Sequence, residues 1–157
     1  MNRRNVFFLT AITALGLLNI ATWFKKRKEI DPDLLTVKTM EGMGRGVFAA
    51  AFIKSGTTVL KDHTLRLSKT DRQQLARTIL ADYYFEDDDD TAHLALGMAS
   101  LLNHSFKAPN VEQEWEAAKE GQVLSFSAIK DILAGEQLFF DYDFDAGEIP
   151  AWADNLK

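Results

Sequence analysis

"GMASLLNHSFKAPNV", from Gly97 to Val111, runs an apolar segment straight into three polar residues. Met98 to Leu102 has the composition of buried chain. Asn103, His104 and Ser105 follow at once, and a turn-like Pro109-Asn110 comes next. Taken locally, this reads as the end of a helix, because Asn tolerates the left-handed cap conformation and Ser bonds nearby backbone. A helix end explains each residue singly. The segments on either side decide whether the three do more.

At 157 residues the chain is long enough for one domain. It contains no cysteine, which removes disulfides, thiolate nucleophiles and cysteine-based zinc sites. His63, His93 and His104 stand far apart and show no metal-ligand spacing, so no metal is expected. Val6 to Phe24, "VFFLTAITALGLLNIATWF", is free of charge and about as long as a bilayer crossing requires. Arg3 and Arg4 precede it; Lys25, Lys26, Arg27 and Lys28 follow it. Residues 1–28 therefore read as a membrane anchor in preference to a cleaved signal, whose apolar core is shorter and ends in small residues. The heavier basic cluster on the C-terminal side places the domain that follows in the cytoplasm, as a single-pass membrane protein.

Those six cations belong to the anchor. The remaining 12 Lys and Arg face all 23 Asp and Glu, a net charge of −11 over residues 29–157. So acidic a domain repels nucleic acid and attracts cationic partners. Glu86-Asp87-Asp88-Asp89-Asp90 is its densest patch, read either as a solvated loop or as a landing site for a basic peptide.

Residues 29–36 form a linker. The pattern then predicts a strand, the glycine loop Gly42–Gly46, a second strand, a turn at Lys54-Ser55-Gly56 and a strand Thr57–Leu60. Ser68 to Phe85 reads as a helix, with Ser68 and Asp71 as a capping box and Leu75 and Ile79 on one face. A short helix is expected over Ala92–Leu102. Strands at Val123–Ala128 and Gln137–Phe144 follow, with a turn at Ala134-Gly135. Residues 145–157 form a tail.

"GMGRG" suggests a nucleotide loop at first sight, with Asp62 about 20 residues on. The stretch from Val47 to Lys54 is too short for the helical crossover that a dinucleotide fold needs, and no Lys-Ser/Thr follows the glycines. What remains is a turn where backbone can approach closely either a ligand or another strand. In "GEQLFFDYDF" the alternation puts Leu138, Phe140, Tyr142 and Phe144 on one face, aromatic with a single hydroxyl, and Phe139, Asp141 and Asp143 on the other.

In chain order, "GRGVFA", "LNHSFKAPN" and "ILAGEQLFFDY" resemble the three motifs of the SET-domain protein lysine methyltransferases. The resemblance covers residues 37–144. "DYYFEDDDDTAHLALGMASLLNHS" further resembles the compact viral and microbial type without flanking zinc modules. The resemblance implies a mainly β, β-clip-like SET fold with short helices, and a knot-like crossing where the Asn-His-Ser segment meets the Tyr142 segment. It implies S-adenosylmethionine as methyl donor, held by Asn103, His104 and the backbone of Gly44, Arg45 and Gly46. It makes Tyr142 the catalytic tyrosine, with Tyr83 as the second site tyrosine and Tyr84 its alternate. Phe140 would line the lysine channel, and Phe144 and Trp152 would close it. Two residues before the catalytic tyrosine, a phenylalanine in this family leaves room for di- or trimethylation. No post-SET cysteines are present, and Ser100-Leu101-Leu102 stands where many relatives carry an Arg-Phe pair.

The implied function is methyl transfer to the lysine ε-amine of a basic protein, with histones the family's best-known substrates. The alternatives are a SET-like binding scaffold at a membrane that has lost turnover, and an acidic membrane adaptor unrelated to methylation. Assembly as a dimer is left open.

Overall fold

The computed structural model describes residues 31–42, 44–87, 90–119 and 121–143. The expected membrane anchor, the tail, Phe144 and Trp152 all lie outside the described residues. Among the described residues no helix is long and apolar enough to cross a membrane.

The chain enters through a short 3-10 turn, Pro32–Leu34, into an antiparallel hairpin of β1 (Leu35–Met40) and β2 (Gly44–Ala49). Gly42 and Gly44 hold φ of 77° and 68°, the left-handed region that makes glycine necessary at this reversal. β3 runs from Thr58 to Leu67 and is followed by the helix α1, Lys69–Leu75. After a 3-10 turn at Ile79–Asp82 come β4 (Tyr84–Glu86), β5 (Ala92–Ala95) and a second 3-10 turn, Met98–Leu101. β6 (Asn103–His104), β7 (Val111–Ala118), β8 (Gly121–Ala128) and β9 (Phe139–Phe140) complete the order. The strands form a five-stranded sheet in the order β4-β5-β3-β8-β7 and two small two-stranded sheets, β1-β2 and β6-β9. The fold is thus mainly β with few short helices, as expected.

Three local expectations are corrected by the structure, and one polar segment with no element expected gains one. The helix from Ser68 begins at its capping box but stops at Leu75. Thr78 takes over there: its hydroxyl donates to the Leu75 carbonyl at 2.8 Å and accepts from Leu80 N–H at 3.2 Å, which diverts the backbone into a new turn. Ala92–Leu102 is a strand and a 3-10 turn, not a helix. β3 extends to Leu67, and its last four residues offer Ala92–Ala95 a ladder that outweighs local helix propensity. The polar segment around Trp115 is a full strand, β7, paired residue for residue with β8 at the sheet edge. Glutamates on a solvated edge strand are an ordinary guard against further pairing. Finally, the Gln137–Phe144 strand contracts to Phe139–Phe140. Asp143, at φ 55°, turns the chain and its N–H bonds the Asp141 carboxylate.

The core is shared by all three sheets. Phe126, Leu124, Ile53, Ile132, Leu138, Val47, Val59 and Val111 are fully enclosed. Each such side chain contributes about 1.5–3 kcal/mol on burial. The similar stretches "FAAAFIKSG" and "FSAIKDILAG" face one another: Ile53 and Ile132 exchange both backbone hydrogen bonds at 2.9 Å. This pairing carries β2 onto Gln137 and Leu138, and so brings the glycine hairpin to the base of β9.

Candidate functional site

β6 and β9 pair in parallel, Asn103 with Phe139 and His104 with Phe140. The Ser105 N–H then donates to the Phe140 carbonyl and the Asn110 N–H to the Phe139 carbonyl. Residues 103–110 therefore clasp β9 at both ends of a loop. Asn110 closes the clasp. Its Nδ2 donates to the Gln137 carbonyl and its Oδ1 accepts from the Phe139 N–H, both at 2.8 Å. In sequence Asn110 is only the second residue of the Pro109-Asn110 turn; its task is invisible there because both partners lie 27 and 29 residues away.

The clasp fixes Tyr142. Its hydroxyl donates to the Leu102 carbonyl at 2.7 Å, and its backbone N–H donates to His104 Nδ1 at 3.0 Å. Since Nδ1 accepts, the imidazole is neutral with its proton on Nε2. Burial holds the His104 pKa below its ordinary value, and the Asp141 carboxylate, 3.8 Å from Nδ1, does not reverse this. Burial, with a smaller contribution from Asp82, pushes the Tyr142 phenol up to about 12. The hydroxyl is therefore a proton donor throughout the physiological range.

The glycine hairpin meets the same corner. Asn103 Nδ2 donates to the Arg45 carbonyl at 3.1 Å, which leaves Oδ1 as the acceptor that side chain has to offer. A Cβ on Gly46 would stand 2.4 Å from Gln137 Nε2 and 3.0 Å from Asn103 Nδ2. The close approach at Gly46 is thus made to two side-chain amides. A Cβ on Gly44 would meet nothing within 4 Å, so that backbone is open. The Arg45 guanidinium lies 5.8 Å from the centre of the Tyr83 ring. Tyr83 therefore stands beside the hairpin, while Tyr84 pairs in the sheet opposite Leu94.

Phe140 is buried at the centre of an aromatic group. Its ring lies 4.6 Å from Tyr142, 4.9 Å from Phe126 and 6.0 Å from Phe85, and Phe85 reaches Trp115 at 6.1 Å. Phe85 and Trp115 were not picked out from the sequence, because Phe85 falls at the end of an expected helix and Trp115 in a polar segment with no expected element, which gives them no shared face. The structure brings together Gly44, Arg45, Gly46, Tyr83, Asn103, His104, Phe140 and Tyr142.

The acidic run is exposed but lies against basic side chains of its own chain. Glu86 is bound by Arg72 and Asp90 by Lys69, and Asp87 lies 3.5 Å from His93 Nε2. All three carboxylates of the run among the described residues thus stand beside a basic side chain of their own chain. Among the described residues no group of His, Asp and Glu is arranged to hold a metal ion.

Two small strand pairs beside a five-stranded sheet, with a half-buried tyrosine and a glycine hairpin against an Asn-His corner, define the class. The chain belongs to the SET domain family, whose match spans residues 44–143. Among curated proteins it is 30% identical over 109 residues to "Histone-lysine N-methyltransferase, H3 lysine-37 specific" of Schizosaccharomyces pombe, covering 69% of this chain and 72% of that one. It is 31% identical over 122 residues to "N-lysine methyltransferase KMT5A-A" of Danio rerio, covering 70% of this chain and 35% of the relative. A solved chain from Plasmodium falciparum superposes with a TM-score of 0.61 at 21% identity, over 76% of this chain and 100% of the other, a likeness of fold.

Proposed function

We propose that the protein is an S-adenosylmethionine-dependent protein-lysine N-methyltransferase. The observation that carries this is the half-buried Tyr142 hydroxyl, held on the Leu102 carbonyl directly before Asn103 and His104. Both curated relatives are lysine methyltransferases by name, and one acts on histone H3. The substrate is read as a lysine of a basic protein, with histones the first class to test.

The corner suits such a donor. The open space at Gly44 gives a carboxylate room to approach the hairpin, and Asn103 Oδ1 is an acceptor for an ammonium. The donor supplies an electrophilic methyl group on a sulfonium; the rest falls to this chain. A lysine at pKa about 10.4 is neutral in only about one molecule in a thousand at pH 7.4. The apolar walls of Phe140, Phe85 and Trp115 disfavour the ammonium and so favour the reactive amine. Tyr142, protonated and anchored at both hydroxyl and backbone, orients the amine for in-line attack. Positioning and exclusion of water supply the acceleration. His104 acts as a support for Tyr142 and not as a base. The mutual bonding of residues 103–110 with β9 supports reading this region as the family's knot-like crossing, and Phe144 and Trp152 remain the candidates for closing the channel. Phe140 leaves space for di- or trimethylation.

The uncharged run Val6–Phe24 and its basic flanks support a single-pass tether with the domain on the cytoplasmic side. Protease protection and carbonate extraction of the tagged full chain test this; full release by carbonate would rule it out.

The activity is tested with the full chain, isotope-labelled S-adenosylmethionine, core histones and a cytosolic extract. Label should pass to lysine and fall by about 100-fold or more in Tyr142→Phe. Donor binding without transfer to either pool would mean a scaffold; a folded chain that binds no donor would overturn the reading.

A further inference from the structure

Asp62, on β3, sends its carboxylate to the start of the 3-10 turn Met98–Leu101, where Oδ2 accepts from the Ala99 N–H at 2.8 Å. Gly97 stands in the cap position of that turn and has no side chain to satisfy it. A Cβ on Gly97 would lie 2.2 Å from Asp62 Oδ1, 2.4 Å from Cγ and 2.5 Å from Oδ2, and these are its three nearest atoms. The backbone of Gly97, at φ −157°, is extended and open to any residue. Glycine is needed here for the space that the carboxylate occupies. A cap that most helices take from their own first residue is supplied from another strand.

We propose that Asp62 is a positioning residue for methyl transfer, acting through this turn; the inference rests on the reading of the Asn103–Tyr142 corner as donor and transfer site. The turn spans four residues, about 8 Å at roughly 2 Å per residue. Its far end delivers both parts of the site: the Leu102 carbonyl that holds the Tyr142 hydroxyl, and Asn103, which holds the Arg45 carbonyl. Ala99 and the following Leu102 are buried at 1% and 2% exposure, and Met98 and Leu101 are half-buried against the same core, so the turn is seated on the core at its start and its end. A displacement at its start is passed on to its end, because close-packed interiors leave little room to absorb it. Asp62 thereby sets where the hydroxyl and the carboxamide stand without touching substrate or donor.

The test uses the full chain with S-adenosylmethionine and the protein pool that the wild type methylates. Rates are expressed per donor-binding site titrated by calorimetry, so that loss of folded protein does not count. A hydrogen bond to a charged group is worth about 10- to 100-fold in an equilibrium, and Asp62→Ala should lower kcat by about tenfold or more with KM for the protein substrate little changed. Asp62→Asn keeps an acceptor oxygen and should recover most of the rate. Gly97→Ala alone should match Asp62→Ala, because its methyl group displaces the carboxylate. In the Asp62→Ala background the same Gly97→Ala change should add nothing, since the atoms it would strike are gone; such non-additivity marks a direct contact. Hydrogen exchange at the Ala99 amide should quicken in Asp62→Ala, which reads the contact independently of activity. A wild type that neither binds donor nor transfers methyl would sink the reading of the site and leave the exchange result to stand. An active wild type whose Asp62→Ala variant keeps kcat within about twofold, or a Gly97→Ala cost that is equal with and without Asp62, would overturn the positioning role.

Discussion

Asn110→Ala should cost more than any other single change outside the apolar core. The carboxamide makes two 2.8 Å hydrogen bonds to backbone, and the residue is 4% exposed. Removing it strands the Phe139 N–H and the Gln137 carbonyl in the interior. Each buried orphan costs about 1–3 kcal/mol, so the loss is about 2–6 kcal/mol. That is a large fraction of the roughly 5–15 kcal/mol that holds a typical domain together. At about 2–4 °C per kcal/mol for a chain of this size, the melting temperature should fall by about 10 °C. Asn110→Asp separates the two bonds: it keeps an acceptor for Phe139, loses the donor to Gln137 and buries a charge, so it should do no better than alanine. Urea unfolding of all three proteins, followed by circular dichroism, gives the comparison. Methyl transfer by the folded fraction of Asn110→Ala should fall as well, because β9 leads directly into Phe140 and Tyr142. A destabilisation of Asn110→Ala under about 1 kcal/mol would refute the claim that Asn110 closes the clasp.

Other outcomes follow from the same geometry. Gly46→Ala should weaken donor binding about tenfold by driving its methyl group into the Gln137 amide, and Gln137→Ala should relieve much of that loss; equal losses with and without Gln137, read by calorimetry, would disprove the contact. His104 has a folded pKa below its unfolded 6.5, so the unfolded chain takes up the proton first as pH falls. Its contribution is complete above about 6.5 and is lost below that, by at most about 1.4 kcal/mol per pH unit. Urea midpoints between pH 7.5 and 5 should fall more steeply in the wild type than in His104→Asn, and parallel lines would refute the assignment. With the Tyr142 phenol at about 12, kcat/KM should climb about tenfold per pH unit from 7 to 9 as substrate lysine deprotonates, and a plateau before pH 9 would point to a protein group instead. Phe140→Tyr should stop methylation at the monomethyl stage, as mass spectrometry of the product would show; trimethyl product from that variant would contradict the channel role.

Much of the site was legible because its residues lie in three continuous motifs. Short spacing along the chain exposed Gly44–Gly46, Asn103–His104 and Phe140–Tyr142, and the alternation Leu138, Phe140, Tyr142 survives although the strand beneath it is only two residues long. The partners that hold those motifs were not legible. Asp62 was noticed only as a false match to a nucleotide fold, because its target Ala99 lies 37 residues on and is chosen by tertiary packing. Phe85 was hidden by a helix expected too far along the chain, and Trp115 by a polar segment that suggests no element. Alanine and leucine in Ala92–Leu102 favour a helix locally, but β3 supplies a ladder that no single-segment pattern reports. β7 carries glutamates where a buried strand would carry apolar residues, and only its partner β8 reveals it.

The two-residue ladder between β6 and β9 has a consequence for how the molecule comes into being. β1 with β2, and β7 with β8, are neighbours in sequence and can zip together as soon as both halves exist. β9 must find Asn103 across 36 residues, and the loop that receives it has to be closing at the same moment. β3 meets β8 across a still longer stretch but gains five residue pairs by it, whereas this ladder gains only two for the loop it closes, so little favours it until the rest is built. The Tyr142 corner should therefore be the last region to mature, appearing after most secondary structure is in place. Any lesion that slows this step leaves a chain with its sheets built and Tyr142 still unseated, apolar surface showing and ready to aggregate.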